Sequence, residues 1–188
     1  QRPVSVIFAV RSIEYEKRKE EQLLRSSTTD ELTRCYNRRA YEQDIKKLTA
    51  DKKFLYLSAD VNGLKAVNDR LGHAAGDELL CGVAGCMKQS FEDYGKVYRI
   101  GGDEFVTILF TDEEQFGIIK QNFDLLVDNW SGDTVPHMSV SCGAVWSDER
   151  QWESVREIAK LADQRMYEKK AKHYARRKSD FQNWMYKR

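Results

Sequence analysis

The chain has 188 residues, 41% hydrophobic and 32% charged, with 31 Lys and Arg against 30 Asp and Glu and a formal charge of +1. That length suits one domain with a full core and a short appendage, and the balanced charge supplies no field that would draw the protein to a nucleic-acid polymer. No apolar run approaches the roughly 20 residues that span a bilayer, so no membrane contact is expected of this fragment.

Cys35, Cys81, Cys86 and Cys142 show neither CxxC spacing nor a histidine pattern suited to zinc. Three of them sit within apolar or helical stretches and read as small buried hydrophobes in a reducing compartment, and a cytoplasmic location is the expectation, compatible with a longer protein tethered to a membrane.

In chain order, residues 4–10 are β-branched and aromatic and read as a strand, too short for a signal-peptide core. Residues 13–25 are rich in Glu, Lys and Arg without Gly or Pro, which suits a solvated helix, and Ser26-Ser27-Thr28-Thr29-Asp30 supplies caps and a boundary. Residues 37–48 predict a helix with Ala40, Tyr41, Ile45 and Leu48 on one side. Residues 53–59 predict a strand buried on both faces, with Asp60 at its end. Helices follow over 63–71 and 76–91, separated by the polar corner Gly72-His73-Ala74-Ala75. Strands over 96–100 and 104–110 flank a glycine turn, and a helix over 113–130, a strand over 137–146 and a closing helix from 152 to about 172 complete the series. This order predicts one sheet with helices packed on it.

The turn reads Tyr98-Arg99-Ile100-Gly101-Gly102-Asp103-Glu104-Phe105. Adjacent glycines form turns, and they also let backbone approach a ligand. Asp60 at one strand end and Asp103 at a turn can meet at one edge of the sheet. Two or three hard oxygen ligands with room for water suit Mg²⁺, which completes its octahedron with water and substrate phosphates. Beyond Asp60, Asn68 and Asp77 sit on either side of a helical corner. An amide and a carboxylate so placed match a guanine edge, because an ionised Asp accepts from the N1 and N2 donors of guanine but faces the wrong partners on adenine. The plainer reading is a strand-end turn at Asp60 and helix capping at Asp77.

Five blocks carry a resemblance: Asp30-Glu31-Leu32-Thr33, Asn37-Arg38-Arg39, residues 60–77, residues 99–105, and Ala162-Asp163 through Tyr167 to Lys170. In order and spacing they resemble the GGDEF domain of diguanylate cyclases. The resemblance implies a mixed α+β fold, a central mostly antiparallel sheet flanked by helices like the palm of polymerases and nucleotidyl cyclases. It also implies condensation of two GTP into cyclic di-GMP with release of pyrophosphate, across a homodimer in which each subunit holds one GTP. Mg²⁺ is the implied cofactor, with Mn²⁺ the alternative.

Carried over by position, Asp60, the Val61 carbonyl and Asp103 hold metal, and Glu104 assists the attacking 3′-hydroxyl or holds a second metal. Asn68, His73 and Asp77 contact guanine and ribose, Lys65 and the backbone at Gly63 and Leu64 contact phosphates, Lys170 contacts the distal phosphates, and Gly102 lets the chain run close to the nucleotide.

Residues 1–12 resemble the last strand of a PAS-like sensor domain and residues 13–29 a linker helix, with the catalytic domain over 30–175 and a tail over 176–188. An upstream sensor is thus an implied partner. Three departures stand out. Asn62 and Leu64 replace Asp and Phe common in the family; since Val61 offers only its carbonyl and Asn62 is not an assigned ligand, activity is expected to survive. His173-Tyr174-Ala175 stands where the family commonly has Gly-Arg-Asn, so a phosphate-binding arginine is missing from its usual place, with Arg176 and Arg177 the candidate substitutes. The product-inhibition motif RxxD falls at Glu92 and Gly95, which do not match, so no feedback through that site is expected. Besides an active cyclase, the sequence leaves open a GTP-binding regulatory module without turnover and an enzyme making a mixed guanine-adenine dinucleotide, the last opposed by Asp77.

Overall fold

The structure, a computed structural model, describes Tyr15, residues 27–49 and residues 52–186, with side chains as far as residue 175. The strand expected over 4–10 lies outside the described residues, as does the helix over 13–25 apart from Tyr15.

Asn37 ends a two-residue strand, β1 (Tyr36–Asn37), and caps α1 (Arg38–Ile45), its side-chain oxygen accepting from the Ala40 amide at 3.0 Å. All seven residues of β2 (Leu55–Val61) are buried, as befits a strand covered on both faces. It pairs antiparallel with both β4 (Glu104–Leu109) and β5 (Val140–Trp146). β3 (Gly95–Arg99) pairs antiparallel with β4 and parallel with β1, giving the order β1-β3-β4-β2-β5. The sheet is mostly antiparallel and mixed with helices, in accord with the implied fold.

Side chains alternate across a strand, so β2 feeds two cores. Leu55, Leu57, Ala59 and Val61 meet Leu79, Val83 and Met87 of α3 (His73–Phe91) and Ile119 and Phe123 of α4 (Glu113–Asn129). Tyr56 faces the other way with Tyr98 and Val106, under α1 and α5 (Val155–Tyr186), which contributes Ile158 and Ala162. The tyrosine tips in that second core find partners: the Tyr41 and Tyr56 hydroxyls lie 2.8 Å apart, and the Tyr98 hydroxyl donates to Asp44 at 2.9 Å. α5 seats directly on β5, because a Cβ at Gly143 would run into the Ala162 carbonyl oxygen and the Met166 amide. β3 and β4 approach as closely at Gly95, where a Cβ would collide with the Ile108 carbonyl.

Element bounds differ from the sequence expectations in several places. β1 takes Asn37, read as the start of a helix, and that helix ends at Ile45 rather than 48; β2 covers Leu55–Val61 rather than 53–59, so Asp60 lies within it. α3 begins at His73 rather than residue 76, because Gly72 alone, at φ 86° and ψ 167°, makes the corner after α2 (Leu64–Leu71). β5 starts at Val140 rather than 137. α5 begins at Val155, three residues after the expected start, and continues to Tyr186 through the stretch read as a tail, where residues 173–186 contain neither Gly nor Pro.

Candidate active site

The end of β2 and the glycine turn form one hydrogen-bonded unit. Asp60 is paired in register with Glu104, and the Val61 amide donates to the Asp103 carbonyl at 3.0 Å. Within the turn, the Ile100 and Gly101 amides both donate to the Glu104 carbonyl, at 3.0 and 3.4 Å. Arg99 fixes it from outside. Its Nη2 and Nε donate to the Gly102 carbonyl at 2.8 and 3.3 Å, and its Nη1 pairs with Asp30 at 3.0 Å. Asp30 also accepts from the Thr33 amide and hydroxyl. Gly101 and Gly102 are not among the positive-φ residues, so left-handed backbone is not why they are glycine. At Gly101 a Cβ would stand 2.6 Å from the Glu104 carboxylate, whereas nothing lies within 4 Å of the position at Gly102. Glu104 folds over the first glycine, and the second faces open space.

Asp60 is 4% exposed. Its Oδ2 accepts from Lys170 Nζ at 2.7 Å, while its Oδ1 is buried without a hydrogen-bond partner. Burial raises the Asp60 carboxyl above the usual range and the nearby Asp103 charge adds to that, with Lys170 opposing both. For Lys170, burial works downward, yet the Asp60 hydrogen bond and the charges of Asp60 and Asp103 hold its ammonium above the ordinary lysine value. A buried carboxylate oxygen without a donor is costly, and a hard cation is the partner such an oxygen suits. Among the described residues no three His, Cys, Asp or Glu side chains converge on one point, so the acidic contribution here is a pair of carboxylates and a carbonyl rather than a cage.

Beyond Val61 the chain turns over a hydrogen-bonded support. Asn62 is buried, donates from Nδ2 to Ser139 Oγ and accepts from Ser141 Oγ, each at 3.0 Å, so it ties β2 to β5 and offers nothing to a ligand. Gly63 adopts left-handed backbone at φ 79° and starts α2 without a side-chain cap; its amide donates to the Tyr174 hydroxyl at 3.2 Å. Leu64 packs against the core and Lys65 is exposed. A recess of about 450 Å³ opens beside this loop, lined by Asn62, Gly63, Arg70, Ser139 and His173. At the α2–α3 corner the Asn68 carboxamide lies against Gly76, where a Cβ would overlap it. His73 and Asp77 stand one turn apart at the start of α3, both exposed.

The site residues therefore fall into two groups. Asp60, Val61, Asp103, Glu104 and Lys170 gather at one end of β2 and β4. Asn68, His73 and Asp77 share the helical corner, with Gly63 before α2 and Leu64 and Lys65 in its first turn between the two groups. Two contributors have no assigned role in the sequence reading. Arg99 braces the turn, a role that pairing 69 residues apart does not reveal. Tyr174 meets Gly63, and the signal for it was its position one helical turn after Lys170, which places both on one face of α5.

Comparison with known proteins agrees with this geometry. The family model described as "Diguanylate cyclase, GGDEF domain" matches residues 27–176. The chain is 36% identical over 148 residues to the probable diguanylate cyclase DgcI of Escherichia coli (strain K12), covering 77% of this chain and 31% of that protein. To diguanylate cyclase DgcN of the same organism it is 33% identical over 165 residues, covering 82% and 39%. It thus spans a third or so of the length of these relatives. In fold it is similar to the coiled-coil and GGDEF domain of DgcB from Caulobacter crescentus, solved in complex with c-di-GMP, with a TM-score of 0.72 at 21% identity over 87% of this chain and 91% of that one. With a five-stranded sheet of this order and a family match across most of its length, the chain belongs to the GGDEF domain family of diguanylate cyclases.

Proposed function

We propose that the chain is the output domain of a signalling protein and condenses two GTP into cyclic di-GMP and two pyrophosphate across a homodimer. The observation that carries this reading is the buried, half-partnered Asp60 beside Val61, Asp103 and Glu104 at one end of the central strands. Asp60, the Val61 carbonyl and Asp103 would hold Mg²⁺ or Mn²⁺, with Glu104 beside them; the ion supplies charge neutralisation for phosphoryl transfer. Hard oxygens and an orphaned Asp60 Oδ1 fit it, and Mg²⁺ keeps several waters, so two carboxylates suffice. Glu104 takes the proton of the attacking 3′-hydroxyl. Lys170 transfers its charge from Asp60 to the distal phosphates, Lys65 and the amides at Gly63 and Leu64 take the rest of the triphosphate, and Gly102 leaves room for it. Asn68, His73 and Asp77 bind the guanosine end, where an ionised Asp77 selects guanine over adenine.

One domain holds one GTP, so two domains must face each other and the rate per protomer should rise with protein concentration. The RxxD positions hold Glu92 and Gly95, so cyclic di-GMP should not inhibit through that site. Pyrophosphate release and cyclic di-GMP formation, measured with GTP and Mg²⁺ across a range of protein concentrations, test the reading. A folded protein giving no product at the highest concentration sinks it. Tyr174, standing in place of the arginine, favours a second reading, a GTP-binding regulatory module; tight GTP binding without pyrophosphate release would support that one.

A further inference from the structure

Lys170 and Tyr174 lie one turn apart on α5 and reach the two sides of the β2–α2 connection. Lys170 takes Asp60 at 2.7 Å, and the Tyr174 hydroxyl accepts from the Gly63 amide at 3.2 Å. Gly63 begins an eight-residue helix with no side-chain cap, so its amide is one of the donors that a helix start offers to an anion. A second, independent observation points to a cation beside this connection: Asp60 is 4% exposed and its Oδ1 has no partner. The tyrosine hydroxyl therefore takes a donor that the nucleotide reading assigns to a phosphate oxygen, at the position where the resemblance calls for an arginine. Tyr174 is 39% exposed and packs edge-on against His173, so little of the core holds it there.

We propose that Tyr174 is an internal competitor for the phosphate end of the site: its hydroxyl satisfies the Gly63 amide in the free protein and must leave before a triphosphate binds. The inference rests on the nucleotide reading above. It makes the open phosphate loop a state the ligand has to purchase by breaking one hydrogen bond, where an arginine would instead have attracted the ligand.

The test is calorimetric titration of the whole chain with a non-hydrolysable GTP analogue and Mg²⁺, and separately with guanosine. Tyr174→Phe keeps the ring and removes the competing oxygen. It should tighten the analogue by about two- to ten-fold, the worth of one neutral hydrogen bond, and leave guanosine unchanged. Tyr174→Ala should tighten it at least as much, and thermal melts of both variants confirm folding. Unchanged analogue affinity in both variants overturns the competitor alone. Weaker binding in Tyr174→Phe overturns it too, by showing that the hydroxyl donates to phosphate. Failure of the wild type and both variants to bind either ligand at millimolar concentration overturns the nucleotide reading and the competitor with it.

Discussion

The two halves of the candidate site are built to different standards of rigidity. At the β2 and β4 end, the turn is held by amides of Val61, Ile100 and Gly101 and by Arg99, and Asp60 is buried against Lys170. At the α2–α3 corner, His73 and Asp77 are exposed, and a single glycine sets the angle between the helices. Groups that position charge for chemistry gain from a fixed, poorly hydrated setting, whereas a surface that admits a base must be open before the base arrives. The contrast separates a braced, largely buried frame from an open, exposed corner.

Several experiments would break or sharpen that contrast. Glu104→Gln should lower turnover by about two orders of magnitude or more while leaving the melting temperature unchanged, because Glu104 is exposed. Pyrophosphate release and a thermal melt read both quantities, and a variant that turns over normally would remove Glu104 from the chemistry. Gly143→Ala should destabilise by roughly 1–3 kcal/mol, measured by urea denaturation, since a methyl there meets backbone of α5 that cannot swing aside. At the corner, Gly72→Ala should cost about 1–3 kcal/mol although nothing lies within 4 Å, because φ 86° with ψ 167° is a conformation open essentially to glycine alone. Equal stability would mean that the corner relaxes freely. Asp77→Ala should move stability by less than about 0.5 kcal/mol while reducing the preference for GTP over ATP in a competition titration.

These glycines show where the sequence was legible and where it was not. The order of strands and helices followed from periodicity, while the roles around Asp60 and Asp103 came from the resemblance to a known family. β1 did not, since a two-residue strand has no period and is defined by its pairing of Tyr36 and Asn37 with Tyr98 and Arg99. Glycine at 101 read as a turn former; the space its Cβ would take is filled only by the flexible end of the exposed Glu104 side chain. Glycine at 72 read as one member of a four-residue corner, yet it makes the corner alone. The Asp60–Lys170 and Gly63–Tyr174 contacts join residues 110 and 111 apart, and only the packing of α5 across the sheet brings them together.

The smallest effect expected is on the acid side of the stability profile, and it belongs to the closed frame. For Asp30, burial works upward, but hydrogen bonds from Thr33 and Arg99 leave its carboxyl below the usual range. Arg165 holds Glu149 low more directly, against a smaller burial effect. A carboxylate depressed in the folded state stabilises above its unfolded value, and that contribution is lost as the pH falls through the folded one. The urea midpoint should therefore decline as the pH drops below about 4.5, and Glu149→Gln should flatten part of the decline. A midpoint that holds steady to about pH 3 would show that these pairs add nothing.

Gly95 carries a consequence for anyone wishing to engineer a brake into this domain. The Ile108 carbonyl fills the space that a side chain would need, so an aspartate at 95 cannot be accommodated by a rotamer change in its neighbours. The β3 and β4 backbones would have to move apart at the start of the pairing that sets Val97 in the core. A feedback element would have to be grafted elsewhere on the surface, because here the route of point substitution is sterically shut.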